Sequence, residues 1–189
     1  MTLTATPLTD TAPLTVDADA TADATATADV GTGVRALRCD ELDASLDLNR
    51  LLESARLVLA AQPFARLLDT EVTAVNHGTA TLVVNIRPDL HQHMGFVHGG
   101  VISYAADISL TFAAGPIFGA NIVTSGFTIT YLRPAAGIRL RAEAIVVDAT
   151  KRQAVTRCDI YAENPGCEPV LCATAQGTIR AVGESPHRR

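Results

Sequence analysis

Apolar residues recur with helical spacing in two stretches of the chain. The first, ASLDLNRLLESARLVLAAQ at residues 44–62, repeats them every three or four positions, which predicts an amphipathic helix ending at Pro63. The second begins at Gly99 and runs to about Gly115, where Gly115 and Pro116 form a stop signal. Residues on every side of this second helix are small or apolar, so we expect it to be buried all round.

Strand-like runs, rich in β-branched residues, follow each of these helices. Two runs in LLDTEVTAVNHGTATLVVNI are joined by a hairpin turn at residues 76–78. After the second helix come four successive runs, IVTSGFTITYL, IRLRAEAIVVD, QAVTRCDIYAE and PVLCATAQGTIRAV, with turns at 134–137, around 151–152 and at 164–166. This order predicts an α+β domain in which a curved antiparallel sheet, ending in a meander of four strands, covers one central helix.

Composition changes this picture at the ends of the chain. Residues 1–43 are rich in Thr, Ala and Asp and lack apolar periodicity, so we predict a disordered tail, with an acidic docking segment as the alternative. Residues 44–182 form the predicted domain, and residues 183–189 a flexible C-terminus. The 48% hydrophobic content, with 4% aromatic residues and no Trp, predicts an aliphatic, alanine-rich core.

The net charge of −5 comes from the tail. The first 34 residues carry five Asp and no Glu, Lys or Arg, whereas the remaining 155 carry 15 acidic and 15 basic side chains. A neutral domain has no electrostatic footprint for nucleic acid or an anionic membrane, so we expect neither as a partner.

The four cysteines, Cys39, Cys158, Cys167 and Cys172, form no CxxC pair and have no metal-ligand spacing. Cys158 and Cys172 lie in predicted strands and are expected to be small core residues. The sequence shows no secretion signal, so we expect reduced thiols and a cytoplasmic location. No charge-free apolar stretch approaches about 18 residues, so we expect no transmembrane helix.

One carboxylate, Asp107, interrupts the apolar second helix in VISYAADISLTFAA. Burying it unpaired and ionised would cost several kcal/mol. Two interpretations follow. In one, backbone N–H groups or an arginine satisfy Asp107, and its role is packing. In the other, it lines a dry pocket as a base or nucleophile.

The start of the same helix offers a complementary group. Gly99 and Gly100 carry orphan N–H groups at the positive end of the helix dipole, and without Cβ atoms they let a ligand oxygen approach. Such a terminus can stabilise an oxyanion, although two glycines can also simply permit a tight turn. Gly99 and Asp107 are eight residues apart, about 12 Å along a helix axis. If both are catalytic, sites shared between two copies of the chain are expected.

The stretch HQHMGFVHGGVISYAAD resembles the signature of hotdog-fold acyl-CoA thioesterases, in particular the PaaI-type branch related to 4-hydroxybenzoyl-CoA thioesterase. The resemblance rests on Gly95, on His98-Gly99-Gly100 and on the acid nine residues after His98. It extends over roughly residues 45–182, including TITYLRPAAG. It implies a hotdog fold, hydrolysis of an acyl- or aryl-CoA to free acid and CoA without a cofactor or metal, and a homo-oligomer, either a dimer or a dimer of dimers.

The resemblance also implies roles for individual residues. Asp107 is the expected general base or nucleophile. The Gly99 N–H is expected to polarise the thioester carbonyl, His98 to shape the turn, and Gly100 to contact substrate. Where the family commonly has Asn, six residues before His98, this chain has Gln92, whose amide is one methylene longer.

Further candidates lie downstream of the helix. The family often has a Ser or Thr that orients water early in the next strand, and Thr124 is the best match, with Ser125 its neighbour. CoA carries phosphates, so basic residues at turns are candidate contacts; these are Arg133, Lys151 and Arg152.

Three other interpretations compete with this hypothesis. His91, His93 and His98 suggest a metal site, but no nearby Cys or Glu completes a ligand set, so none is expected. Asp89 and His93 suggest a hotdog hydratase or dehydratase, although the surrounding pattern differs from that signature. A non-catalytic acyl-CoA-binding protein on the same fold is the third alternative, because fold does not determine function.

Overall fold

The computed structural model of the protein describes residues 39–183, with side chains described from residue 47. The predicted tail at 1–43 therefore lies outside the described residues except for 39–43, where the backbone is already helical. Likewise, of the predicted flexible C-terminus, only residue 183 is described.

Three helices lie within the described residues: α1 at Cys39–Ala60, α2 at Pro63–Leu67 and α3 at Gly99–Phe118. A single 3₁₀ turn covers Pro88–Leu90. Pro63 follows the end of α1, as predicted, but also starts α2, since proline is well suited to the first position of a helix.

The predicted end of the second helix at Gly115 is wrong, because α3 continues through Pro116 to Phe118. Pro116 lacks an N–H and so removes one intrahelical hydrogen bond, but the last turn of α3 still forms. Gly119 ends the helix with φ 83°, a left-handed conformation that favours glycine. Its N–H donates to the Gly115 carbonyl at 2.8 Å.

All six predicted strands are present: β1 at Thr70–Asn76, β2 at Thr79–Asn85, β3 at Ile122–Tyr131, β4 at Arg139–Ala149, β5 at Gln153–Glu163 and β6 at Val170–Ala181. They form one antiparallel sheet in the order β1-β2-β4-β5-β6-β3. The predicted four-stranded meander is wrong for β3, which pairs with β6 at the far edge instead of with β4. Helix α3, about 30 Å long at 1.5 Å per residue, carries the chain across the sheet to that edge.

Helix α3 packs on the sheet and forms the core with it. Leu110, Ala113 and Ala114 of α3 are fully buried, as are Cys158 and Cys172 on the strands beneath. The prediction that these two cysteines are core residues is confirmed, and burial raises the pKa of the Cys158 thiol to about 12. By length and composition α3 can cross a membrane, but its packing on the sheet is that of a core helix.

The expectation that α3 is buried all round is wrong. A stripe of half-buried residues runs along one side of the helix: Ser103, Tyr104, Asp107, Thr111 and Gly115. Their spacing of three or four residues places them on one side of the helix. This set is called the α3 stripe below.

One ion-pair cluster holds the end of β5. Glu163 is buried and accepts hydrogen bonds from Arg141 and Arg139. Arg141 is the main reason that the pKa of Glu163 is lowered, and Arg139 adds to this effect against the opposing effect of burial.

Candidate active site

The loop before α3 folds back on itself and fixes where the helix starts. His91 and Val97 form an isolated antiparallel bridge, and Gly95 turns the loop with φ 84°, a left-handed conformation that glycine adopts readily. The His98 N–H donates to the Leu90 carbonyl at 2.8 Å. The helix start is therefore held by backbone hydrogen bonds on the loop side.

His98 caps α3, and this distinguishes the two glycines that follow. Its Nδ1 accepts a hydrogen bond from the Gly100 N–H at 2.9 Å, which leaves that N–H engaged within the protein. The Gly99 N–H, in contrast, has no hydrogen-bond acceptor among residues 39–183. Of the two predicted donors, only Gly99 thus keeps an N–H that can bind a ligand oxygen at the positive end of the helix.

Tyr131 supports the helix start from β3, a contact that the sequence reasoning missed. Its hydroxyl donates to the Gly99 carbonyl at 3.0 Å, and lies 2.7 Å from the Ser103 hydroxyl. Ser103 is a polar residue four positions after Gly99, so its helical spacing is a signal that can place it beside the helix start.

Asp107 is held by a threonine from β3 and remains half-buried. The Thr124 hydroxyl donates to Asp107 Oδ1 at 2.7 Å. The Thr111 hydroxyl donates to the Asp107 carbonyl at 3.0 Å and lies 3.1 Å from the Thr124 hydroxyl. Thr111, four residues after Asp107, is a second contact that the sequence reasoning missed.

The surroundings of Asp107 do not match those of a carboxylate that serves packing alone. Neither an arginine nor a backbone N–H donates to it in the part of the chain that the structure describes. Its Oδ2 has no partner there, yet it is not among the buried unpaired polar atoms, so it remains accessible. Thr124 therefore orients one carboxylate oxygen of Asp107, and the other oxygen is accessible.

Tyr104 lies on the same side of α3, close enough for the charge of Asp107 to affect the pKa of its hydroxyl. Burial raises the pKa of Tyr104, the hydrogen bond with Thr70 at 3.0 Å opposes the rise, and the negative charge of Asp107 adds to it. Tyr104 is accordingly a neutral hydroxyl at ordinary pH. Its ring also packs edge-on against Phe64, with 5.2 Å between centroids.

The other predicted site residues are spread around this arrangement. The Gln92 amide oxygen accepts a hydrogen bond from the Met94 N–H at 2.7 Å, so it stabilises its own loop and leaves only its NH₂ group available. Ser125 is exposed at a β-bulge between Thr124 and Gly126. Within the described residues it makes no hydrogen bond to Asp107.

The predicted CoA-binding basic residues are not brought together in one chain. Arg133 follows the end of β3, and its guanidinium donates to the Leu171 carbonyl. Arg152 lies next to Lys151 in the β4–β5 turn. Its backbone carbonyl accepts a hydrogen bond from the Ala181 N–H, and Ala181 pairs with Ile122 at the start of β3. The ten residues of β3 separate the two positions by about 30 Å.

Comparison with known protein families agrees with the fold. The family model of the thioesterase superfamily matches residues 94–168, which include Asp107 and the start of α3. This match spans 75 of the 189 residues, and over that part the chain is similar to the thioesterase superfamily. A comparison with curated proteins found no match.

Solved structures of other proteins share the fold of this chain, in agreement with the hotdog fold expected above. A thioesterase family protein from Silicibacter pomeroyi is 26% identical, with a TM-score of 0.66 over 70% of this chain and 99% of that one. PaaI from the phenylacetic acid degradation operon of Escherichia coli is 22% identical, with a TM-score of 0.64 over 72% and 96% of the two chains. A mutant PaaI from Thermus thermophilus is 27% identical, with a TM-score of 0.57 over 64% and 100%.

Proposed function

We propose that this protein is a thioesterase that hydrolyses the thioester of an acyl- or aryl-CoA to the free acid and CoA. The observation that carries the proposal is the Asp107 carboxylate, oriented by Thr124 through one oxygen and accessible through the other. It lies on a helix whose first N–H, that of Gly99, has no acceptor among the described residues. A carboxylate and a free helix N-terminus are the two groups that acyl transfer needs.

In the proposed reaction, Asp107 either attacks the thioester carbon itself or removes a proton from a water molecule that attacks it. The carbonyl oxygen gains negative charge and is stabilised by the Gly99 N–H. The C–S bond then breaks, and the CoA thiolate leaves and takes up a proton. Direct attack leaves an anhydride on Asp107, which water hydrolyses in a second step. Thr124 keeps the Asp107 carboxylate turned towards the reacting carbon.

The two groups act on one substrate only if two copies of the chain share each site. Gly99 and Asp107 are eight residues apart in α3, about 12 Å along its axis, whereas reacting groups must lie within about 3 Å. Two copies of α3 that run antiparallel across a two-fold axis place the Gly99 of each next to the Asp107 of the other.

The free edge of β3 supports such a dimer. Among residues 39–183, β3 pairs only with β6, so no described strand covers its other edge. It contains none of the Lys or Pro residues that usually block pairing at an edge, whereas α1 packs against the strand at the opposite edge. Antiparallel pairing of two β3 edges also brings the Arg133 end of one copy towards the Lys151-Arg152 end of the other. These basic residues then flank one CoA.

Thiol release from a panel of acyl-CoAs tests the activity. We expect turnover by the wild type and its loss in Asp107→Asn, which keeps the shape of the side chain but not its charge. Equal rates in the two proteins would refute the role of Asp107. No turnover of any acyl-CoA would favour the non-catalytic binding protein, and turnover of crotonyl-CoA by hydration would favour the hydratase.

We also propose a cytoplasmic location, since Cys158 and Cys172 are buried free thiols.

A mixture of two inactive variants tests the shared site. Asp107→Asn removes the carboxylate, and Gly99→Pro replaces the N–H with a carbon of the proline ring. In a mixed dimer one site carries both defects, while the other carries neither. We expect refolding the two variants together to restore activity, and refolding each alone to restore none. Mixed dimers that form but remain inactive would refute the shared site.

A further inference from the structure

A cavity opens between α1 and the C-terminal half of α3. It has a volume of about 400 Å³ and is walled by Leu51 and Val58 of α1, by Thr111 and Gly115 of α3 and by Ile122 of β3. Val58 is 42% exposed, because the cavity separates this part of α1 from α3.

Thr111 lies both in the wall of the cavity and next to the candidate active site. Asp107, Thr111 and Gly115 follow one another at intervals of four residues, so they lie in a row on one side of α3. Thr111, which walls the cavity, contacts both the Asp107 carbonyl and the Thr124 hydroxyl. Thr111 is therefore the residue that lies between a molecule bound at Asp107 and the cavity.

The chemistry of the walls selects an uncharged, apolar occupant. Within the described residues no charged side chain lines the cavity, and its polar groups are a few uncharged side chains. Phe112 is its one aromatic residue. A cavity of about 150 Å³ already holds one benzene ring, so the volume here is more than twice what a single ring requires.

From these observations we infer that the cavity binds the aliphatic chain of the acyl group, with the thioester at Asp107 and the chain running along α3 towards Gly115. This inference rests on the proposed thioesterase function and adds the substrate class, a straight-chain acyl-CoA of medium length. The acyl chain of such a substrate leaves water for an apolar surface, and each methylene that enters favours binding.

Gly115 keeps the cavity open. A Cβ atom placed there would meet no heavy atom within 4 Å, and its φ is not in the left-handed region. Glycine is therefore not required by the backbone at this position, and within a helix it is less stable than alanine. A larger side chain at Gly115 projects into the space that the acyl chain occupies.

Chain-length dependence of kcat/KM tests the inference. For the wild type, from acetyl-CoA to dodecanoyl-CoA, we expect kcat/KM to rise by about fourfold for each methylene that enters the cavity, and then to level off. Gly115→Leu fills the space of about four carbons, so we expect kcat/KM for the long chains to fall by on the order of a hundredfold. For acetyl-CoA we expect a much smaller loss. Gly115→Ala is the matched control, with a small loss at the longest chains only.

A binding measurement separates this inference from the proposed function. Titration calorimetry with decanoate needs no turnover, and we expect binding to the wild type and loss of binding in Gly115→Leu. Val58→Phe fills the same space from α1 and serves if Gly115→Leu does not fold. Acetyl-CoA turnover with a flat chain-length profile would overturn the cavity inference and leave the thioesterase function standing. Decanoate binding that depends on Gly115, without turnover of any acyl-CoA, would support the cavity and overturn the function.

Discussion

Replacing Gly99 with proline exchanges one N–H group in the candidate site for a ring carbon, and the backbone around it is compatible with proline. Gly99 is the first residue of α3, a position that favours proline because its N–H has no partner inside the helix. The preceding residue, His98, has φ −62° and ψ 135°, the extended conformation that a residue before proline adopts. A Cβ atom at Gly99 would lie 3.5 Å from the Tyr131 ring, an ordinary contact distance.

The expected effect on catalysis is large. Removing one donor from an oxyanion site lowers kcat by about 100- to 1,000-fold, equivalent to about 2.7–4 kcal/mol, and we expect a loss of this size in Gly99→Pro. The Gly99→Ala control keeps the N–H and should retain most of the activity. Stability should be equal or higher, since proline at a compatible position restricts the unfolded chain by about 0.4–1 kcal/mol.

Two measurements are needed together. Thiol release with the acyl-CoA that the wild type hydrolyses fastest gives kcat, and urea unfolding gives the free energy of unfolding for the same three proteins. A Gly99→Pro protein that is as stable as the wild type and equally active would rule out the Gly99 N–H as the carbonyl donor. The mechanism would then need another donor.

Three further predictions concern other parts of the domain. Thr124→Val removes the hydrogen bond to the Asp107 carboxylate and should lower kcat by about 10- to 100-fold in the thiol-release assay. Thr128→Val, at an exposed position of the same strand, should leave kcat unchanged, and an equal loss in both variants would contradict the prediction. Ser109 is buried, and its hydroxyl has no partner within the described residues. Ser109→Ala should therefore raise the free energy of unfolding by about 1 kcal/mol, and a lower value in urea unfolding would argue that a bound water satisfies the hydroxyl. The folded-state pKa of Glu163 is lowered, so its stabilising effect is present above the unfolded value of about 4.3 and is lost as the pH falls through the folded value. The deficit of Glu163→Gln in urea unfolding, about 1.5–3 kcal/mol at neutral pH, should shrink towards pH 3, and a deficit independent of pH would contradict this.

Local sequence patterns were sufficient for the elements of this fold but not for their arrangement. The strands were predictable because each has its own turn signals and β-branched residues. The position of β3 at the sheet edge was not, because it depends on pairing with β6, which follows almost forty residues later. The predicted helix end at Gly115 was wrong for a similar reason: Pro116 is a local stop signal, but the helix continues to Phe118.

The candidate site, too, was predictable from the sequence only in part. Asp107 was conspicuous because a single carboxylate stands in an apolar run, and the Gly99-Gly100 pair marks a helix start. The stripe on which Asp107 lies was hidden, because small residues such as Gly115 are as compatible with a core as with a cavity wall. Contacts across elements, such as that of the Tyr131 hydroxyl with the helix start, have no local signal.

The α3 stripe has a consequence for how such a protein can change over evolution. The side of α3 that faces the sheet is fully buried at Leu110, Ala113 and Ala114, where a change of volume disturbs the packing. Gly115, in the stripe, is half-buried, and a Cβ atom there meets no heavy atom within 4 Å. Mutations along one side of a single helix can therefore retune which molecules fit, while the other side preserves the architecture.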